Sequence, residues 1–174
     1  MKFNFIATTY RYKESEAMKE IKMLMNDDIN IITDIKISEI SGIILGNINI
    51  NPIDIVRKFK DIVTEEPWQF RYILRMIPIE ITIKTDLLDI TNNAVKKALE
   101  KIQDNESYKI TVEKRHTNLK SNEIITNIAS EINRKVLLDE PDWIILIEVI
   151  GRDTGISVIR KEDIFNSVIE KRNI

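Results

Sequence analysis

The apolar residues of the amino-terminal half change period in a fixed order, and that order leaves few folds open. "FNFIATT" (Phe3 to Thr9) reads as a strand. Ser15 to Met25 then places Ala17, Ile21, Leu24 and Met25 on one helical stripe. Two strand runs follow, "NIITDIKI" and "GIILGNI", joined by a polar link around Ser38 to Ser41. "NPIDIVRKFKDIV" restores the helical period: Asn51 can cap, Pro52 suits the first helical position, and Ile55, Val56, Phe59, Ile62 and Val63 form the apolar face. "WQFRYILRMIPIE" closes the half as a strand. Pro78 should mark an edge or bulge in it, because proline gives a ladder no donor.

Strand–helix–strand–strand–helix–strand is the order of a ferredoxin-like unit, an antiparallel sheet with both helices on one face. It accounts for residues 1–80. Residues 81–174 have another rhythm, helix–strand–helix–strand–strand, and predict a small mixed sheet covered by helices. Ala94, Val95, Ala98, Leu99 and Ile102 mark its first helix, with Leu87, Leu88 and Ile90 leading into it. "SYKITVE" alternates, and Ile124, Ile125, Ile128, Ala129 and Ile132 make the next helical face. "WIILIEVI" is apolar on both faces, as interior strands are. "GISVI" pairs with it across the Gly151 to Gly155 link, and a short helix is expected in the final segment. The fold class is therefore α+β with α/β character, in two adjoining domains.

Composition removes several chemistries. The chain has 174 residues, no cysteine and one histidine, so thiolate catalysis, disulfides, iron–sulfur clusters and multi-histidine metal sites are excluded. Its four glycines supply neither a Rossmann fingerprint nor a Walker sequence, and no acyl-CoA pyrophosphate loop is visible. No cofactor or metal is expected. "DEPD" at Asp139 to Asp142 reads as a solvated turn before a buried strand rather than a magnesium cluster. No basic leader opens the chain and no apolar run approaches the ~20 residues that span a bilayer, which predicts a cytoplasmic protein.

A net charge of -2 argues against indiscriminate nucleic-acid coating but leaves room for a local basic face. Lys109 to Lys135 carries six basic side chains against three acidic ones, +3 with His116 neutral. Arg115 and Lys120 can contact phosphates beside the free amides of a helix starting at Ser121 and Asn122. An ordinary solvated strand end gives the same local charge. His116, the one histidine, has no evident carboxylate to orient it, so it is a surface residue or an RNA contact before it is a catalytic base. Arg71 and Arg75 are expected on one outward strand face, with Arg71 equally suited to an ion pair. Tyr72, Trp68 and Trp143 can stack on bases or pack at domain corners.

The segments "EEPWQFRYILRMIPIE", "YKITVEKRHTNLKSNEIITNIASEI" and "DEPDWIILIEVIGRDTGISVI", with the closing "EKRNI", resemble THUMP-domain proteins. More narrowly, they resemble the stand-alone members that assist tRNA cytidine acetylation. The resemblance covers essentially the whole chain. It implies binding of the tRNA acceptor stem and single-stranded 3′ end, with chemistry left to an attached or separate catalytic domain. For the narrower subgroup it implies a noncatalytic adapter that presents tRNA to an ATP- and acetyl-CoA-dependent RNA acetyltransferase forming N4-acetylcytidine. The chain ends with the THUMP unit, which leaves no room for a catalytic domain and fits that expectation. Carried onto this sequence, the binding face comprises Arg115, Lys120, Ser121 and Asn122 first, then Arg75 and Arg152, with Arg71 and His116 as further contacts. The competing readings are a component of a different tRNA-modifying enzyme and a protein-interaction module without RNA binding.

Overall fold

The computed structural model describes residues 2–25 and 31–174, which form two compact units. The first comprises Phe3–Ile79 together with Glu162–Ile174, and the second Glu80–Lys161 together with Lys2. This differs from the expected division into 1–80 and 81–174, because the last residues of the chain return to the first unit. Phe165 is the reason. It is fully buried there, with its ring centroid 5.6 Å from that of Phe59 and 4.8 Å from that of Phe70.

In the first unit the order is β1 (Phe5–Thr8), α1 (Glu14–Leu24), β2 (Ile32–Ile37), β3 (Ile43–Ile48), α2 (Pro52–Glu65) and β4 (Arg75–Pro78). Asn30, the first residue expected in β2, lies outside the described residues. The sheet is antiparallel throughout, in the ferredoxin-like order β4-β1-β3-β2. Asn51 caps α2 as expected, accepting from the Ile53 amide at 3.0 Å with Pro52 next in line. Gly46 is where β3 must be bare: a Cβ there would come within 2.0 Å of the Phe5 ring lying across it.

The strand expected from Trp68 onward begins only at Arg75. Pro67–Gln69 forms a short 3-10 turn, and residues 71–73 donate their amides to a side chain instead of a ladder. The acceptor is Glu20, 6% exposed on the buried face of α1. Its carboxylate takes Arg71 N at 3.0 Å, Tyr72 N at 3.1 Å and Ile73 N at 2.9 Å. Pro78 ends β4 opposite Phe5 of β1, and the strand added on the other side of β4 opposes Arg75 and Met76.

The second unit runs β5 (Ile81–Lys84), α3 (Leu87–Lys101), β6 (Ser107–Arg115), α4 (Ser121–Ser130), β7 (Lys135–Val136), β8 (Trp143–Ile150) and β9 (Asp153–Ile159). Its sheet order is β5-β9-β8-β6-β7, with β6 parallel to β7 and β8 and the other pairs antiparallel. β5 is a strand that the expected helix–strand–helix–strand–strand order did not include, and Asp153 to Gly155 belongs to β9 rather than to the turn. β8 is interior, with Ile144 to Ile150 buried. The first unit is completed by β10 (Phe165–Asn166), which pairs with β4, and by α5 (Ser167–Arg172), which Asn166 caps.

The "DEPD" turn has a structural carboxylate. Asp142 accepts from Ser107 N at 2.8 Å and Ser107 Oγ at 3.0 Å, tying the starts of β6 and β8 together. The Ser107 amide, then its hydroxyl, hold Asp142 below the ordinary carboxylate range. Glu106 is lowered by the Gln103 amide and then by the indole of Trp143. Depressed acids stabilise the fold above their unfolded values of 3.8 and 4.5, and that contribution is lost as pH falls through the lower folded values. Acid should therefore lower the urea midpoint below about pH 4.5, and Asp142→Asn should flatten that acid limb while lowering the midpoint at neutral pH. An unchanged acid limb would remove Asp142 from the linkage.

Candidate nucleic-acid interface

One end of the second sheet gathers most of the expected binding residues, and strand direction is the cause. β6 and β8 run parallel in register to Arg115 and Ile150. β5 is antiparallel to β9, itself antiparallel to β8, so β5 finishes at the same end, with Lys84 opposite Asp153. Gly151 and Arg152 turn the chain there, Gly151 taking a φ of 60°. Backbone bonds fix this turn on both sides: Gly151 N donates to Arg115 O and Thr85 N donates to Arg152 O, each at 2.9 Å.

The charges at this end divide into committed and available ones. Arg115 is committed: its Nη1 donates to Glu148 Oε2 at 2.8 Å, and the Glu148 side chain is wholly buried. A carboxylate in the middle of an apolar strand needs a charged donor, and Arg115 supplies it. Arg115 is thus tied to the strand end, with its side chain 24% exposed, where the sequence had suggested a phosphate contact. Lys84 pairs with Asp153 at 2.7 Å. Lys114 donates to Leu119 O at 2.8 Å, and Leu119 N donates to Thr117 Oγ1 at 3.2 Å, which folds the loop ahead of α4 back on itself.

Lys120 and Arg152 are exposed and make no ion pair among the described residues. Lys120 occupies the N-cap of α4 with no side-chain cap, so Ser121 and Asn122 open the helix with amides that lack an acceptor there. α3 differs: Asp86 already caps it, accepting from Leu88 N and Asp89 N at 3.0 Å each. His116 is exposed at a φ of 54°, reversing the chain after β6. This end therefore offers cationic donors and helix amides to an anion. Glu123 in the first turn of α4 offsets part of that charge.

Arg71 and Arg75 belong to the first unit and do not share a strand face. Arg75 is half-buried in β4, whereas Arg71 is exposed on the segment held by Glu20. Among the described residues no cluster of three or more His, Cys, Asp or Glu side chains is placed to hold a metal, and no helix is long and apolar enough to cross a membrane. Glu148 and Lys84 were missed as partners at the sheet end. A lone Glu in "WIILIEVI" was the available signal for the first.

Residues 84–159 match the family model of the THUMP domain, so the second unit carries a THUMP domain. Among solved structures, the chain is similar to PH1313 from Pyrococcus horikoshii Ot3, with a TM-score of 0.63 and 18% identity over 92% of this chain and 55% of that one. It is similar to a 4-thiouridine synthetase crystallised with RNA and ATP, at a TM-score of 0.61 and 15% identity over 91% of this chain and 41% of that one. For TrmN from Thermus thermophilus the TM-score is 0.59, at 11% identity over 88% and 44% of the two chains. At these identities the likeness is one of fold, and this chain spans about half the length of those proteins or less. No curated protein matches the chain by comparison.

Proposed function

We propose that this chain binds tRNA at its acceptor stem and 3′ end and acts as a noncatalytic adapter. It presents the tRNA to a separate RNA cytidine acetyltransferase that forms N4-acetylcytidine, in the cytoplasm. The THUMP domain over residues 84–159 carries the tRNA reading. The anion-facing sheet end supports it, and the 4-thiouridine synthetase captured with RNA gives a precedent for this fold beside RNA. The narrower adapter role rests on the sequence resemblance alone.

In this arrangement Lys120 and Arg152 contact phosphates, the Ser121 and Asn122 amides face the same anionic group, and Arg115 holds the strand end in place through Glu148. Such contacts carry affinity without reading sequence. Lys120→Ala and Arg152→Ala should each weaken tRNA binding across tRNA species and reduce the slope of log affinity against log salt by about 1. Binding is compared for intact tRNA and tRNA lacking its terminal CCA. Cytidine acetylation is then assayed with the chain alone and with the acetyltransferase, ATP and acetyl-CoA. No tRNA binding by the folded wild-type protein would sink the reading, and acetylation by the chain alone would sink its noncatalytic part.

A further inference from the structure

The first unit has a surface that the sheet-end contacts do not use. A groove of about 540 Å³ lies between α1 and the segment following α2, lined by Glu16, Lys19, Met23, Trp68, Gln69, Arg71 and Tyr72 above the Glu20 carboxylate. Its volume falls in the range of small-ligand sites, about 300–1,000 Å³. Trp68 is 63% exposed, an unusual placement for the largest apolar side chain. The adjoining loop before α1 displays Tyr10 and Tyr12, the latter 87% exposed and held at a φ of 65° where a bulky residue is strained.

Charge decides what such a surface suits. Its two acids are occupied: Glu16 pairs with Lys13 at 3.0 Å, and Glu20 is turned onto the amides of residues 71–73. Lys19 and Arg71 are exposed and make no ion pair among the described residues, so the charge left over is positive. Lys13, already paired with Glu16, lies 5.9 Å from the Tyr72 ring centroid. Flat aromatic faces flanked by unpaired cations are the combination that takes stacked bases and their phosphates without sequence preference.

We propose that this groove binds unpaired RNA bases, stacked on Trp68 and Tyr72, with Lys19 and Arg71 on the adjacent phosphates. The inference rests on the nucleic-acid reading above but concerns a different unit and a contact made by bases rather than by phosphates alone. Glu20 fixes the backbone of residues 71–73 with Arg71 exposed, and Trp68 stands exposed on the 3-10 turn just before them.

The test uses the full chain, fluorescein-labelled single-stranded oligoadenylate and a blunt RNA duplex of the same length, read by anisotropy. The wild-type protein should bind the single strand, and Trp68→Ala should weaken that binding about tenfold or more while leaving duplex binding unchanged. Trp68→Phe, which keeps a stacking face, should stay within about threefold of wild type. Because Trp68 is mostly exposed, its truncation leaves the core intact. Equal oligoadenylate affinity for wild type and Trp68→Ala overturns the inference, even if tRNA binding and its dependence on Lys120 hold. Wild-type protein that binds tRNA but no oligoadenylate also overturns it. A dimer abolished by Trp68→Ala, without oligoadenylate binding, overturns it in favour of a second copy of the chain.

Discussion

Glu20→Ala should be among the most destabilising single substitutions in the first unit, at about 3 kcal/mol in urea unfolding. The carboxylate accepts the amides of Arg71, Tyr72 and Ile73 between 2.9 and 3.2 Å. These bonds are charge-assisted, which makes each stronger than a neutral pair. Ile73 is buried, so its amide would lose its acceptor without gaining water, whereas the more open Arg71 and Tyr72 amides would recover solvent bonds. Buried loss therefore dominates the cost. Glu20→Gln keeps one carbonyl oxygen and should recover part of it. Hydrogen exchange at Tyr72 and Ile73 reads the same event locally. Protection that survives Glu20→Ala would show that another group holds this segment.

The same carboxylate explains where the sequence misled. "WQFRYILRMIPIE" alternates well enough to read as one strand, but alternation reports only which side chains face inward. It does not say what the amides bond to. The clue lay elsewhere, in α1, where Glu20 falls on the stripe of Ala17, Ile21 and Leu24. An acid on an apolar stripe needs donors, and a neighbouring stretch of unpaired backbone supplies them. β5 was missed for a different reason: its four residues of alternation directly follow a proline-bearing strand and are too short to stand out as a separate element. β10 has two residues and no periodic signal at all, so only the burial of Phe165 reveals it. The two periodic halves, the Asn51 cap and the interior character of β8 were legible because each rests on local pattern. The proposed binding face was half legible. The basic cluster at the exit of β6 could be read from the sequence, but which of its cations form ion pairs depends on partners far off in sequence.

Arg115 is the clearest case of that dependence, and it yields the second large effect. Arg115→Ala should cost about 2–3 kcal/mol in unfolding free energy, below the 3–5 kcal/mol typical of breaking a fully buried pair. The discount follows from exposure: the Arg115 side chain is 24% exposed while that of Glu148 is not exposed at all. Water can therefore reach the site once the guanidinium is gone, but the carboxylate remains within the sheet. Arg115→Ala with Glu148→Gln should be less destabilised than the two single variants predict by addition, because the second change removes the charge that the first leaves without this donor. Strict additivity in that cycle would mean that the 2.8 Å contact contributes nothing to stability. The cycle also separates two causes of weak tRNA binding. If Arg115 acts by bracing the strand end, Arg115→Ala weakens binding in proportion to its loss of stability, and the double variant regains part of both. A direct phosphate contact by Arg115 would instead leave the double variant as weak a binder as Arg115→Ala, with its salt slope reduced by about 1.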